Sequence, residues 1–253
     1  MERLVLTERC TVAGIPALHV RPRGHEGRAP TILFFHGWSS RKELVLVPAE
    51  VLAIEGYRVI IPDSINHGER GALPVYDDKS AYHHFYETIL QTVSEAGPLA
   101  EAAVAAGWAD PDRMGVLGNS MGGFIAAGVM ARYDWPKAAV LFNGCPCYAW
   151  VDEFYHRATG TPVPAGRLER LRSHDPEGLV ARIAPRPFLM LHGSADQVVP
   201  IEGARRFLEL ARPHYAALPD RLALVEQDRL NHYVTMFMVE KMRDWFCRYL
   251  PCS

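Results

Sequence analysis

The stretch RMGVLGNSMGGFIAAGVMARY, Arg113 to Tyr133, passes from an apolar run through a cluster of glycines around one serine and into an alanine-rich helical pattern. A strand that turns sharply into a helix at Ser120 puts strained backbone on that residue and crowds its neighbours two positions to either side. Gly118 and Gly122 remove the side chains that would collide. This is the physical content of the GxSxG elbow, which lifts a serine hydroxyl beyond the carboxyl end of a strand. A helix cap is the plain alternative for a serine at such a join, so the rest of the chain has to decide.

Working outward, nearly continuous apolar runs recur at TILFFHG (31 to 37), YRVIIPD (57 to 63), MGVLG (114 to 118), KAAVLFNG (137 to 144), RPFLMLHG (186 to 193) and RLALVEQ (221 to 227). Runs of this kind suit central strands covered on both faces. LVLTERCTV and PALHVRP read as an opening antiparallel pair around Gly14. Helical patterns lie between the runs, at Glu43 to Glu55, Ala81 to Ala106, Met121 to Tyr133, Glu202 to Ala211 and Tyr233 to Tyr249. In the last, Val234, Phe237, Met238, Met242, Trp245, Phe246 and Tyr249 recur at helical spacing, which predicts one buried face. Alternating strand and helix predict an α/β class: a doubly wound, mostly parallel sheet of about eight strands with helices on both faces.

Residues 145 to 184 break the alternation with a segment rich in Pro, Arg and aromatics. A structureless loop of that length is unusual in a compact domain. VDEFYHRA and AGRLERLRSHDP are therefore expected as short helices of a cap-like insertion, within a single domain spanning 1 to 253. The arginines at 157, 167, 170 and 172 are read as a solvated helix face.

Position and order then test Ser120. A serine hydroxyl needs a base to take its proton, and the base needs a third group to fix its tautomer. GSADQVVP places Asp196 just past one strand, and RLNHYVT places His232 just past the last. Both fall at the carboxyl edge of the sheet, where ligands bind in open α/β sheets. Asp63 is expected to order the PDSINHGER loop instead, and His192 to brace the Asp196 loop. His67, His83 and His84 read as surface or hydrogen-bonded histidines. For the oxyanion, Met121 supplies one backbone N–H, and the FFHGWSS loop supplies the other through Trp38, with Gly37 letting the backbone turn inward.

With these residues in place, the chain resembles the α/β-hydrolase superfamily over nearly its whole length, through FFHGWSSRKE, RVIIPDSINHGER, GVLGNSMGG, IAPRPFLMLHGSADQVVP and LNHYVT. APRPFLMLHGSAD and the compact size are most similar to bacterial cytoplasmic carboxylesterases related to the dienelactone hydrolase and prolyl oligopeptidase groups. Ser120 departs from dienelactone hydrolases proper, which carry a cysteine nucleophile, and the propeller of prolyl oligopeptidases is missing. The resemblance implies a two-step acyl transfer with Ser120 as nucleophile, His232 as base and Asp196 as its orienting partner, on a small-molecule ester and without a cofactor. Tyr148, Trp150, Phe154 and Tyr155 in the insertion, with Trp38, favour a small apolar pocket and short-chain esters; Tyr148, Trp150 and Trp38 are the candidate substrate contacts. Thioesters, lactones, amides and peptides suit the same machinery, and an inactive ligand-binding relative is the distant alternative.

Composition sets the bounds. A formal net charge of −2, with basic and acidic residues interspersed, argues against a nucleic-acid partner. No run approaches the roughly 20 apolar residues of a membrane span. Five scattered cysteines fit reduced thiols and a cytoplasmic setting. Cys145 and Cys147 in NGCPCY lack the further ligands a metal site needs and read as buried thiols in a tight turn. The apolar C-terminal helix is available either to the sheet or to a homo-oligomer contact.

Overall fold

A computed structural model describes residues 4 to 76 and 81 to 252, without the side chains of 81 to 83. Its strands are β1 (Val5–Val12), β2 (Ile15–Pro22), β3 (Ala29–Phe35), β4 (Arg58–Pro62), β5 (Ala109–Asn119), β6 (Pro136–Phe142), β7 (Phe188–Gly193) and β8 (Leu222–Gln227). They form one sheet in the order β1-β2-β4-β3-β5-β6-β7-β8. β1 and β2 pair antiparallel, as does β2 with β4, and every pairing from β4 through β3 to β8 is parallel. From β3 the chain steps to β4 on one side and then to β5 on the other. This reversal opens a crevice at the carboxyl ends of β3 and β5, the place where an open α/β sheet binds ligands.

The central strands read as apolar runs because both faces are covered: every residue of β3, β4 and β7 is buried. One face carries α2 (Ala81–Ala105), α3 (Met121–Arg132) and α7 (Ile201–Ala211); the other carries α1 (Leu46–Ile54) and α8 (Met236–Tyr249). Residues 121 to 131 of α3 are buried throughout, so this helix shows no polar face in its sequence.

Several predicted boundaries move, among them the start of β5, at Ala109 instead of Met114. The helix expected over Glu43 to Glu55 starts with a 3-10 turn, Lys42–Val45, before α1. The last helix starts at Met236 because Thr235 caps it, its hydroxyl accepting from the Met238 N–H at 3.4 Å. Val234 therefore stays in the preceding loop, and Phe237 falls beside the buried stripe of Met238, Val239, Met242, Trp245 and Phe246, exposed at 41%.

Residues 145 to 184 hold α4 (Tyr148–Thr159), α5 (Arg167–Arg172), a 3-10 turn at Pro176–Leu179 and α6 (Val180–Ile183). Asp175 ties the segment together by accepting the Tyr148 and Ala149 N–H groups at the start of α4, at 2.9 and 2.8 Å. These are two of the donors that a helix start leaves without intrahelical acceptors. Burial pushes the Asp175 carboxyl up to about 6, against the lowering effect of those bonds. Among the insertion arginines, Arg172 pairs with Glu153 at 2.9 Å on the surface, while Arg167 lies 3.6 Å from the buried Asp152.

Candidate active site

Ser120 stands between β5 and α3 with φ 55 and ψ −119, a conformation that costs a non-glycine residue of order 1–3 kcal/mol. The surroundings enforce it. A Cβ on Gly118 would lie 1.9 Å from the Gly122 carbonyl oxygen, and a Cβ on Gly122 would lie 1.9 Å from the Phe35 oxygen. Both contacts are with backbone, which cannot swing aside, so the tight β3–β5–α3 junction admits only glycine at these two positions.

Around this elbow the sheet gathers the other two side chains. His232 Nε2 lies 2.9 Å from Ser120 Oγ, and His232 Nδ1 lies 2.7 Å from Asp196 Oδ2. Because a carboxylate only accepts, Nδ1 carries the proton and Nε2 presents its lone pair to the serine. Asp196 Oδ1 accepts from the Val198 and Val199 N–H groups at 2.8 and 2.9 Å. Burial alone would raise the Asp196 carboxyl, yet hydrogen bonds from His192, His232 and the Val199 amide hold it well below the usual carboxylate range. It therefore stays ionised beside His232.

The loop after β3 comes up against Ser120 from the other side, where a Cβ on Gly37 would sit 3.3 Å from Ser120 Cβ. Met121 is the first residue of α3, so its N–H has no acceptor within the helix. The Trp38 indole donates to the Tyr76 carbonyl at 2.9 Å, and its ring stands edge-on to His67, Tyr76 and Phe85. His36 anchors the base of this loop: Nδ1 donates to the Gly37 carbonyl at 2.8 Å and Nε2 accepts the Ser64 N–H at 3.1 Å. Burial pushes His36 down to about 4, so the ring is neutral. At the loop's far end, Asp63 accepts from the Lys42 N–H, the Lys42 ammonium and the Glu69 N–H, as its expected ordering role requires.

One candidate contact needs correction. Tyr148 does not face the site: it is fully buried, its hydroxyl donates to the Phe124 carbonyl at 2.6 Å, and it packs where a Cβ on Gly128 would collide with it. An aromatic in an insertion resembles a pocket residue in sequence, but its place at the first turn of α4 drives it into the core. Trp150 is half-buried, stacks on Phe154 at 5.5 Å and rests against Gly203 of α7. His67 is buried with Nδ1 donating to the Ile65 carbonyl, and His84 is half-buried near Glu87; the His83 side chain lies outside the described residues. Cys145 and Cys147 are buried free thiols, and among the described residues no group of His, Cys, Asp and Glu is arranged to hold a metal ion.

Asn143 escaped the sequence reading. Just past β6 at φ 46, it donates its N–H to Leu191 and its Nδ2 to the Tyr233 carbonyl at 3.0 Å, while its Oδ1 accepts the Gly193 N–H at 3.1 Å. One side chain thus links the end of β7, which leads to Asp196, to the residue after His232. Asn tolerates the left-handed region better than other non-glycine residues. The only signal in the sequence was an Asn-Gly pair at a strand end.

A strained serine at the switch point of a mostly parallel, eight-stranded sheet, with a histidine and a carboxylate delivered from later strand ends, defines the serine hydrolases of the α/β-hydrolase fold. Comparison with known proteins narrows this. The chain belongs to the prolyl oligopeptidase family, whose model matches residues 86 to 247. It is 33% identical to the protein named "Putative esterase YitV" of Bacillus subtilis (strain 168), over 98% of this chain and 100% of that one. It is 28% identical to "Esterase YjfP" of Escherichia coli (strain K12), over 80% of this chain and 83% of the other. TT1662 from Thermus thermophilus superposes with a TM-score of 0.83 at 27% identity, covering both chains in full. The chain is a serine hydrolase of this family. Among the described residues no helix is long and apolar enough to cross a membrane.

Proposed function

We propose that this chain is a carboxylesterase that hydrolyses short-chain esters through Ser120, His232 and Asp196. The observation that carries the reading is the unbroken relay from Asp196 Oδ2 through both nitrogens of His232 to Ser120 Oγ, at 2.7 and 2.9 Å. His232 takes the Ser120 proton as Oγ attacks the ester carbonyl. The resulting oxyanion is held by the Trp38 and Met121 N–H groups, which need no reorganisation as charge develops. On collapse, His232 protonates the departing alcohol, leaving an acyl-enzyme. Water then gives a proton to His232 as its oxygen attacks the acyl carbonyl, and as the second tetrahedral intermediate collapses the bond to Oγ breaks, His232 returns the proton to Ser120 Oγ and the acid leaves.

The preference for small acyl groups is supported by the aromatic wall beside the oxyanion loop, where Phe85 stands edge-on to Trp38 and Phe124 at 5.5 and 5.6 Å. In this reading the chain works as one domain, with residues 145 to 184 as a cap-like insertion. The free thiols suit a reducing, cytoplasmic setting. The test is hydrolysis of p-nitrophenyl acetate, butyrate and octanoate by wild type and Ser120→Ala. Activity that falls with chain length and disappears in the variant supports the proposal; turnover retained by Ser120→Ala refutes it. Family membership favours amide cleavage as the second reading, and p-nitroanilides of the same acids separate the two.

A further inference from the structure

We infer that His192 is a positioning residue that acts on the reaction through Asp196, an inference that rests on the triad assignment above. His192 is the penultimate residue of β7 and is fully buried. Its Nε2 lies 2.9 Å from the Val199 carbonyl oxygen and 3.2 Å from Asp196 Oδ2. Both neighbours are acceptors, so Nε2 carries the proton and is shared between them. The opposite nitrogen, Nδ1, is buried without a hydrogen-bond partner. A histidine held only for packing has no need to aim its one N–H at a carboxylate and leave its other nitrogen unsatisfied.

The consequence is a carboxylate gripped from both sides. Asp196 Oδ2 faces two imidazoles, His232 at 2.7 Å and His192 at 3.2 Å, while Oδ1 takes two backbone amides. The carboxylate plane is fixed by four donors, and Oδ2 is aimed at His232 Nδ1 before substrate arrives. His192 also draws part of the Oδ2 charge away from His232. A further charged group near this ring is Glu226, in register with His192 on β8 and paired with Arg205 at 2.5 Å.

The test replaces the donor while keeping side-chain bulk. His192→Met removes the N–H; His192→Gln returns an amide donor at similar reach. The loss in kcat comes from orientation: misplacing a supporting group by about 1 Å costs up to roughly 100-fold, so an Asp196 carboxylate free to turn is expected to cost roughly 10- to 100-fold in kcat. With p-nitrophenyl butyrate, and concentrations set by fluorophosphonate titration, His192→Met is expected to lose that factor in kcat with KM within about twofold. The acid limb of its kcat profile should move to higher pH, because Asp196 then holds the His232 imidazolium more strongly. His192→Gln should recover most of the loss. In an Asp196→Asn background, His192→Met should cost almost nothing further, since groups acting as one unit are not additive.

A His192→Met enzyme with wild-type kcat, an unmoved acid limb, or full additivity with Asp196→Asn overturns the inference. If His192→Met fails to fold, His192→Asn, whose amide is too short to take the place of Nε2 against Asp196 Oδ2, replaces it and is judged by the same criteria. Wild type that neither hydrolyses esters nor takes the fluorophosphonate would instead sink the triad assignment itself.

Discussion

Replacing Lys42 by Met isolates what holds the end of the loop after β3 against the loop after β4. Lys42 is 1% exposed, and its ammonium sits 2.5 Å from Asp63 Oδ2 and 2.6 Å from Glu69 Oε1. Burial alone would lower the lysine, but the two carboxylates hold it above its ordinary value. Burial alone would raise Asp63, but the Glu69 amide and Lys42 hold it below the usual range. The two shifts agree that the pair is ionised in the fold. The Asp63 side chain is 0% exposed, so removing the ammonium strands its charge in a dry site, whereas Glu69, 51% exposed, stays solvated. Breaking a buried pair in this way costs about 3–5 kcal/mol. At about 2–4 °C per kcal/mol for a chain of this size, Lys42→Met should lower Tm by roughly 6–20 °C.

Thermal unfolding by circular dichroism at pH 7 measures this directly. Lys42→Met combined with Asp63→Asn should recover part of the loss, because the stranded charge is then gone. A fall of less than about 3 °C in the single variant, or a double variant less stable than the single, would refute the reasoning that Asp63 is a dry, uncompensated anion without Lys42.

Other outcomes follow from the same geometry. Asp196→Asn should fold normally yet lose about 10⁴ in turnover, because an amide donor facing His232 Nδ1 selects the wrong tautomer; a loss under tenfold by steady-state kinetics would contradict this. Gly122→Ala should abolish activity or soluble expression, since its Cβ would lie 1.9 Å from the Phe35 oxygen; an active, soluble variant would show that the elbow is looser than described. Stability should fall as pH drops from 6.5 towards 4. His19 and His36 are pushed down to about 4, both chiefly by burial, so the unfolded chain takes up two protons in this window that the folded chain refuses. Each is worth up to about 3 kcal/mol at 1.36 kcal/mol per unit, and Asp175, raised to about 6, returns about 3 kcal/mol of the sum as pH falls from about 6 to 4. Urea midpoints at pH 7 and 4.5 check the sign, and an unchanged or higher midpoint at pH 4.5 would contradict it.

The parts of the fold that could be read from the chain are those where burial writes itself into local pattern. β3, β4 and β7 are covered on both faces and so appear as apolar runs, and the elbow glycines appear because backbone meets backbone around Ser120. Asp196 and His232 could be read because each follows such a run. Asn143 was illegible for a different reason. Its role depends on β6 lying beside β7 with Phe142 opposite Leu191, a pairing between distant segments that no local pattern carries. The reach of His192 back to Asp196 was expected, but the sharing of its Nε2 with Val199 and the empty Nδ1 were not. Lys42, just ahead of the helical pattern that begins at Glu43, is buried only because Asp63 and Glu69 come from the loop after β4 to meet it. Tyr148 misled because aromatic composition does not say which way a side chain faces.

The central claim is that Ser120 is a nucleophile activated by His232. Its most direct test is intact-mass and peptide mapping after treatment with a fluorophosphonate, run on wild type, Ser120→Ala and His232→Ala. The account predicts one adduct per chain, on Ser120, in wild type, none in Ser120→Ala, and labelling slowed by several orders of magnitude in His232→Ala. An adduct on another residue, or equal labelling of wild type and His232→Ala, would contradict it.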